Sequence, residues 1–286
     1  MTLQNTAPDT VASLTARPRL TWNMLGTGRE GIQTRTDWPP TVDPSWAWEG
    51  GTGAGVRVCV LDSGVDPEHP LTGPLQGSYA VVKNDAGQPE VVETDPGDSC
   101  GHGTACVSII RSIAPECEIY SLQVLQRFTG SGDSFVTGLR WAIDQGFDVM
   151  NLSLSTSRRQ FAQALHDLAD DAYFQRSLLV ASAHNMPLES FPWRFASVVS
   201  VGSHAEGDPG IFFYNPKPPV EFFGNGVNVE VAWLNGELTK CSGNSFATPH
   251  ITGHCARILS KHPELTPFQV KTALYLLARN VVPKPA

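Results

Sequence analysis

The chain has 286 residues, 41% of them apolar, and a formal net charge of −8. That length suits one large α/β domain or two small ones. The acidic balance and the lack of any Lys/Arg run disfavour nucleic acid and anionic membrane as partners, and no stretch approaches the roughly 18 consecutive apolar residues of a membrane helix.

Residues 1–36 are polar, with scattered Pro, Thr and Gly, and read as a flexible leader or short prosegment. The first 20 residues lack the charged start and apolar middle of a secretory signal, which points to a cytoplasmic location. Asp37-Trp38-Pro39-Pro40 reads as a linker, so the expected main domain spans 37–286. Residues 56–61 form an apolar run that predicts a buried strand ending at Asp62-Ser63-Gly64. Cys100-Gly101-His102-Gly103-Thr104 places a histidine between two glycines, ahead of the apolar run 105–110. Residues 118–125 predict the next strand, followed by Gly130-Ser131-Gly132. Phe135, Leu139, Ala142 and Ile143 recur at helical spacing, predicting a helix over 134–146 with Ser134 as its cap and Gly146 past its end. Residues 148–154 predict a strand, 159–173 an amphipathic helix, and 178–181 a buried strand that runs into Ser182-Ala183-His184-Asn185. Ser245 enters an apolar helical stretch within Gly243-Asn244-Ser245-Phe246-Ala247-Thr248-Pro249-His250, and Thr266-Pro267 caps a final helix through Leu277. Helices and strands alternate throughout. The expected fold is three-layer α/β, with a mostly parallel central sheet covered by helices on both faces.

A neutral serine hydroxyl is a weak nucleophile and needs an adjacent base, usually a histidine held in one tautomer by a buried carboxylate. Asp62, at the C-terminal end of a predicted buried strand, lies where catalytic groups collect in α/β sheets. The glycines around His102 let backbone approach the imidazole closely. The Asn185 amide is a suitable neutral donor to a developing oxyanion. Each signal is weak alone: Asp-Ser-Gly is commonly a turn, His-Gly a loop, and Ser at a helix start an N-cap. Together, in the order Asp62, His102, Asn185, Ser245, they specify catalytic residues Asp62, His102 and Ser245 with Asn185 at the oxyanion. Asp, then His, then Ser is also the order long recognised for one particular protease fold.

From Trp46 to Leu277 the chain resembles the subtilisin-like serine proteases, or subtilases. The likeness rests on Val60-Leu61-Asp62-Ser63-Gly64-Val65-Asp66, His102-Gly103-Thr104, Ala181-Ser182-Ala183-His184-Asn185 and the Ser245 motif. It implies a serine endopeptidase whose partner is an extended polypeptide substrate. Gly130, Ser131 and Gly132 would pair with that substrate on one side and Ser153, Leu154 and Ser155 on the other, with Ala183 and His184 in the wall of the pocket for the residue before the scissile bond. The family's tight calcium site is expected to be absent, because Glu68-His69-Pro70-Leu71 lacks the aspartate and no loop interrupts the segment after His102. No cofactor or metal is expected.

The chain departs from the family at His184 and Ser155, where Gly is usual, at Asn244, where Thr is usual and where the Asn amide is expected to donate as well, and in the short segment 186–192. A partly rebuilt, smaller and more polar pocket follows. Glu189 reads as a solvated loop residue, with a basic substrate side chain as the alternative partner. The remaining histidines, His250 among them, read as packing residues. The six cysteines lack C-x-x-C spacing, and with no signal segment they read as reduced thiols. The chemistry leaves three outcomes open: hydrolysis, with maturation of a specific peptide precursor as its setting; a peptide ligase or macrocyclase using an amine acceptor; and a non-catalytic peptide-binding module. Composition is silent on oligomeric state.

Overall fold

The computed structural model describes residues 38–282; the leader of residues 1–36 lies outside them. The elements come in the order α1 (Pro44–Ala47), β1 (Arg57–Asp62), β2 (Leu75–Lys83), β3 (Pro89–Glu93), α2 (His102–Ile113), β4 (Glu118–Gln123), α3 (Gly132–Asp144), β5 (Val149–Leu152), α4 (Ala162–Phe174), β6 (Leu178–Ser182), β7 (Val199–His204), β8 (Phe213–Tyr214), β9 (Phe222–Asn225), β10 (Val229–Ala232), β11 (Leu238–Cys241), α5 (Asn244–Lys261) and α6 (Pro267–Leu277).

Nine strands form one sheet in the order β3-β2-β4-β1-β5-β6-β7-β9-β8. The pairings from β2 through β9 are parallel, and only the edge strands β3 and β8 run antiparallel. The central strands β5 and β6 are buried along their whole length, as is β1 after its first residue. That is why they read as continuous apolar runs and show little alternation. The main core packs Phe135, Leu139 and Ile143 of α3 and Leu165 and Leu168 of α4 against Leu61, Met150, Leu152 and Leu179. Each such side chain contributes about 1.5–3 kcal/mol by leaving water. A smaller cluster joins Ala105 and Ile109 of α2 to Phe246 of α5 and Val229 and Val231 of β10. The expected three-layer α/β arrangement is present.

Strand order reverses around β1: β4 lies on one side of it and β5 on the other. Ligands of open α/β sheets bind outside the carboxyl ends of strands at such a switch point. Asp62 ends β1, and Ser153 follows β5 directly.

Two local expectations are corrected. The cap of α3 is Ser131, whose side chain accepts from the Ser134 N–H at 2.9 Å, so Gly132 and Asp133 enter the first turn. The helix expected from residue 159 opens with a 3₁₀ turn, Arg159–Phe161, and only then becomes α4. The last helix starts as expected, with Pro267 in its first turn and a reciprocal capping box between Thr266 and Gln269.

Candidate active site

Asp62 is fully buried at the end of β1. Its Oδ1 accepts from the Ser63 N–H and lies 2.8 Å from Nδ1 of His102. That contact assigns the proton to Nδ1 and leaves Nε2 as the basic nitrogen. His102 opens α2. Gly101 before it has φ +92°, and a Cβ there would lie 2.8 Å from the Trp233 ring. A Cβ on Gly103 would come 2.0 Å from the Gly64 carbonyl oxygen. Only glycines allow the turn and the close approach that press His102 against Asp62. Burial opposes a charge on His102, but the buried Asp62 carboxylate outweighs it and holds the imidazole pKa well above 6.5.

A residue that no sequence motif singled out organises this turn. Asp98 accepts from Ser63 Oγ and the Cys100 and Gly101 N–H groups through Oδ1, and from the Thr104 N–H and Oγ through Oδ2. The one available signal is an Asx residue three positions ahead of the glycine that starts a helix.

Ser245 is the second residue of α5. At that position a backbone N–H has no intrahelical partner, and the helix dipole adds positive potential. The Ser245 carbonyl accepts from Ser153 Oγ at 2.8 Å. Ser153 in turn accepts from Asn151 Nδ2, and Asn151 Oδ1 accepts from Thr252 Oγ1, deep in α5. This buried polar chain ties the start of α5 to the end of β5. Cys106 sits beneath, its thiol 3.3 Å from Ser153 Oγ and 3.7 Å from both Asp62 Oδ2 and the Ser245 carbonyl. Burial pushes this thiol's pKa up, so it remains neutral. Asp62, His102 and Cys106 are also the one group of side chains among the described residues that could gather three metal-ligating atoms. Asp62 Oδ1 already accepts two hydrogen bonds there.

Asn185 is exposed at the turn after β6. Its Oδ1 accepts from the Asn244 N–H at 2.9 Å. A Cβ placed on Gly243 would lie 3.4 Å from Asn185 Nδ2 and 3.5 Å from Ser245 Oγ, so both groups flank one point. The Asn244 side chain does not join them. Its Nδ2 donates to the carbonyls of Ala183 and His184, correcting the expectation that it is a further oxyanion donor.

His102, Asn185 and Ser245 line one cleft of about 660 Å³. Gly130, Ser131 and Gly132 line it, with Gly132 already in the first turn of α3. Ser153, Leu154 and Ser155 line it too, as do Ala183 and His184. His184 Nδ1 accepts from the Met186 N–H, turning that ring back toward its own loop. A larger cavity, about 740 Å³ between α2 and β10, contains none of these catalytic candidates. Glu189 is not left for a substrate: Arg159 and Arg194 each hold one of its carboxylate oxygens at 2.7 Å. His250 is buried, bonded to the Phe246 carbonyl, with its pKa lowered to about 4 by burial.

The subtilase family model matches residues 53–284. The chain is 30% identical to the minor extracellular protease Epr of Bacillus subtilis (strain 168), covering 94% of this chain and 42% of that protein. It is 30% identical to subtilisin E of the same organism, covering 82% of this chain and 64% of that protein. It is also 30% identical to the subtilisin of Bacillus pumilus, covering 82% of this chain and 89% of that protein. Among solved structures, a cold-adapted subtilisin-like serine proteinase superposes with a TM-score of 0.65 at 27% identity, over 78% of this chain and 82% of the other. The family match spans most of the sequence, including Asp62, His102, Asn185 and Ser245, and the chain belongs to the subtilase family.

Proposed function

We propose that the chain is a serine endopeptidase working through an acyl-enzyme. The observation that carries this is the 2.8 Å hydrogen bond between buried Asp62 and His102, in a cleft that Ser245 and Asn185 also line. Ser245 Oγ attacks the scissile carbonyl carbon and its proton passes to His102 Nε2. The C–N bond then breaks as Nε2 returns that proton to the leaving amine. Water enters, loses a proton to Nε2 and hydrolyses the ester, and Ser245 Oγ regains its proton. Asp62 keeps Nδ1 protonated and stabilises the imidazolium. Asn185 Nδ2 and the Ser245 N–H bind the oxyanion. The substrate is an extended polypeptide pairing with the cleft walls.

The altered pocket supports a narrower setting, maturation of a particular peptide precursor, and broad digestion of casein without sequence preference would count against it. The basic test is intact mass after reaction with a fluorophosphonate, with Ser245→Ala as control. One adduct on the unaltered chain and none on the variant is expected. No adduct on either would overturn the assignment.

A further inference from the structure

The cleft holds one cationic side chain that the catalytic scheme does not use. Arg158 lines it, and no Asp or Glu does. Among the described residues Arg158 has no carboxylate partner. Glu189, the partner of the adjacent Arg159, is occupied on both oxygens by Arg159 and Arg194. Arg158, Arg159 and Arg194 against Glu189 make three positive charges to one negative, a local excess of +2 on a chain whose formal net charge is −8. An arginine fork is well matched to a carboxylate and is always charged.

Its position narrows the choice of substrate residue. Two walls flank the start of α5 and are hydrogen-bonded to it. Ser153 Oγ donates to the Ser245 carbonyl, and Asn244 Nδ2 donates to the carbonyls of Ala183 and His184. The recess between these walls therefore opens beside Ser245, where the residue whose carbonyl is attacked must place its side chain. The wall that begins at Ser153 continues to Thr156, which is joined to Phe191 by a reciprocal pair of 2.9 Å backbone hydrogen bonds. Arg158 lies two residues beyond, anchored by its own N–H to Thr156 Oγ1 at 3.2 Å.

We infer that Arg158 is a specificity-determining residue that selects an acidic side chain, glutamate or aspartate, at the substrate position immediately before the scissile bond. This rests on the reading of the cleft as a peptidase site. Ser155 and Ser182 also line the cleft, and hydroxyl donors suit a carboxylate better than an apolar side chain.

The test uses fluorogenic peptides that are identical except for Glu, Gln, Leu or Lys before the cleaved bond, with fluorophosphonate labelling of the same samples. The Glu/Gln ratio of kcat/KM is independent of how much protein is folded. It is expected to exceed unity by about 10- to 100-fold in the unaltered chain, the scale of one charged hydrogen bond. It should fall toward unity in Arg158→Ala, and Arg158→Glu should favour Lys over Glu. A labelled enzyme that cleaves the Glu and Gln peptides equally overturns the inference and leaves the peptidase reading standing. So does a Glu preference that Arg158→Ala leaves intact, or one confined to another substrate position. A chain that neither labels nor cleaves any peptide overturns both.

Discussion

The backbone N–H of Asn244 donates to the side-chain oxygen of Asn185 at 2.9 Å, across 59 residues of sequence. This bond orients the Asn185 amide. With Oδ1 held, Nδ2 is the atom left to face a developing oxyanion beside Ser245 Oγ. Asn185→Ala is accordingly expected to reduce kcat by roughly 10²–10³-fold with little change in KM. Unchanged kcat in that variant would remove Asn185 from the oxyanion site.

The pH dependence follows from the Asp62–His102 pair. His102 must be neutral to accept the serine proton, and its pKa is raised well above 6.5. Activity should therefore rise with pH along a limb set by that raised value. Stability runs the other way. The pair's contribution is fully present below about 6.5, the unfolded value, and is lost as pH rises through the folded pKa. Asp62→Asn should shift the limb to lower pH and cost roughly 10⁴-fold in kcat, the general scale for serine-protease triads. An NMR titration of His102 that shows no downward shift in the variant would contradict the assigned cause.

Asp98 accepts five hydrogen bonds, four from residues 100–104 around His102 and one from Ser63 Oγ beside Asp62. Replacing it with alanine leaves those donors without their acceptor and is expected to cost at least about 3 kcal/mol, read by urea unfolding. The surviving folded fraction should show lowered kcat at nearly constant KM, because Asp98 acts by positioning His102. Wild-type stability in Asp98→Ala would refute this account.

Thiol chemistry tests the burial of the cysteines. All six are free. Cys59, Cys106, Cys117 and Cys255 are buried, and burial pushes Cys117 up to about 11 and Cys255 up to about 12. A disulfide reagent at pH 8 should titrate Cys100 and Cys241 in the native chain, and all six after unfolding in guanidinium. Rapid native labelling of Cys106 would mean that the floor of the catalytic site opens.

Metal removal is expected to have no effect on stability. α2 runs unbroken from His102 to Ile113, and both ring nitrogens of His69 are occupied, one by the Leu71 N–H and the other by the Glu237 carbonyl. A tight calcium site at a hundred times its Kd adds about 2.7 kcal/mol, roughly 5 °C or more in Tm for a domain of this size. A drop of that order on adding EDTA would establish a metal site after all.

The sequence alone determined the succession of central strands and helices along the chain, the candidates Asp62, His102, Asn185 and Ser245, and the family likeness. These were legible because each signal is local: an apolar run ending in Asp, glycines around a histidine, a serine opening an apolar helix. Strands β2, β3 and β8 to β11 went unread: β2 and β3 are largely half-exposed, β8 to β11 are only two to four residues long, and such strands take their pairing from partners distant in sequence. Helix starts moved by a few residues for the same kind of reason, because Ser131 and Ser134 are both competent caps and packing chose between them. Only the tertiary structure brought Asp98 beneath the His102 turn, turned the Asn244 amide to the carbonyls of residues 183 and 184, and set Cys106 under the triad. It also satisfied Glu189 with two arginines and left Arg158 in the cleft without a carboxylate. Each of those outcomes is the presence or lack of a polar contact, and that is decided by which residues the folded chain brings close to one another.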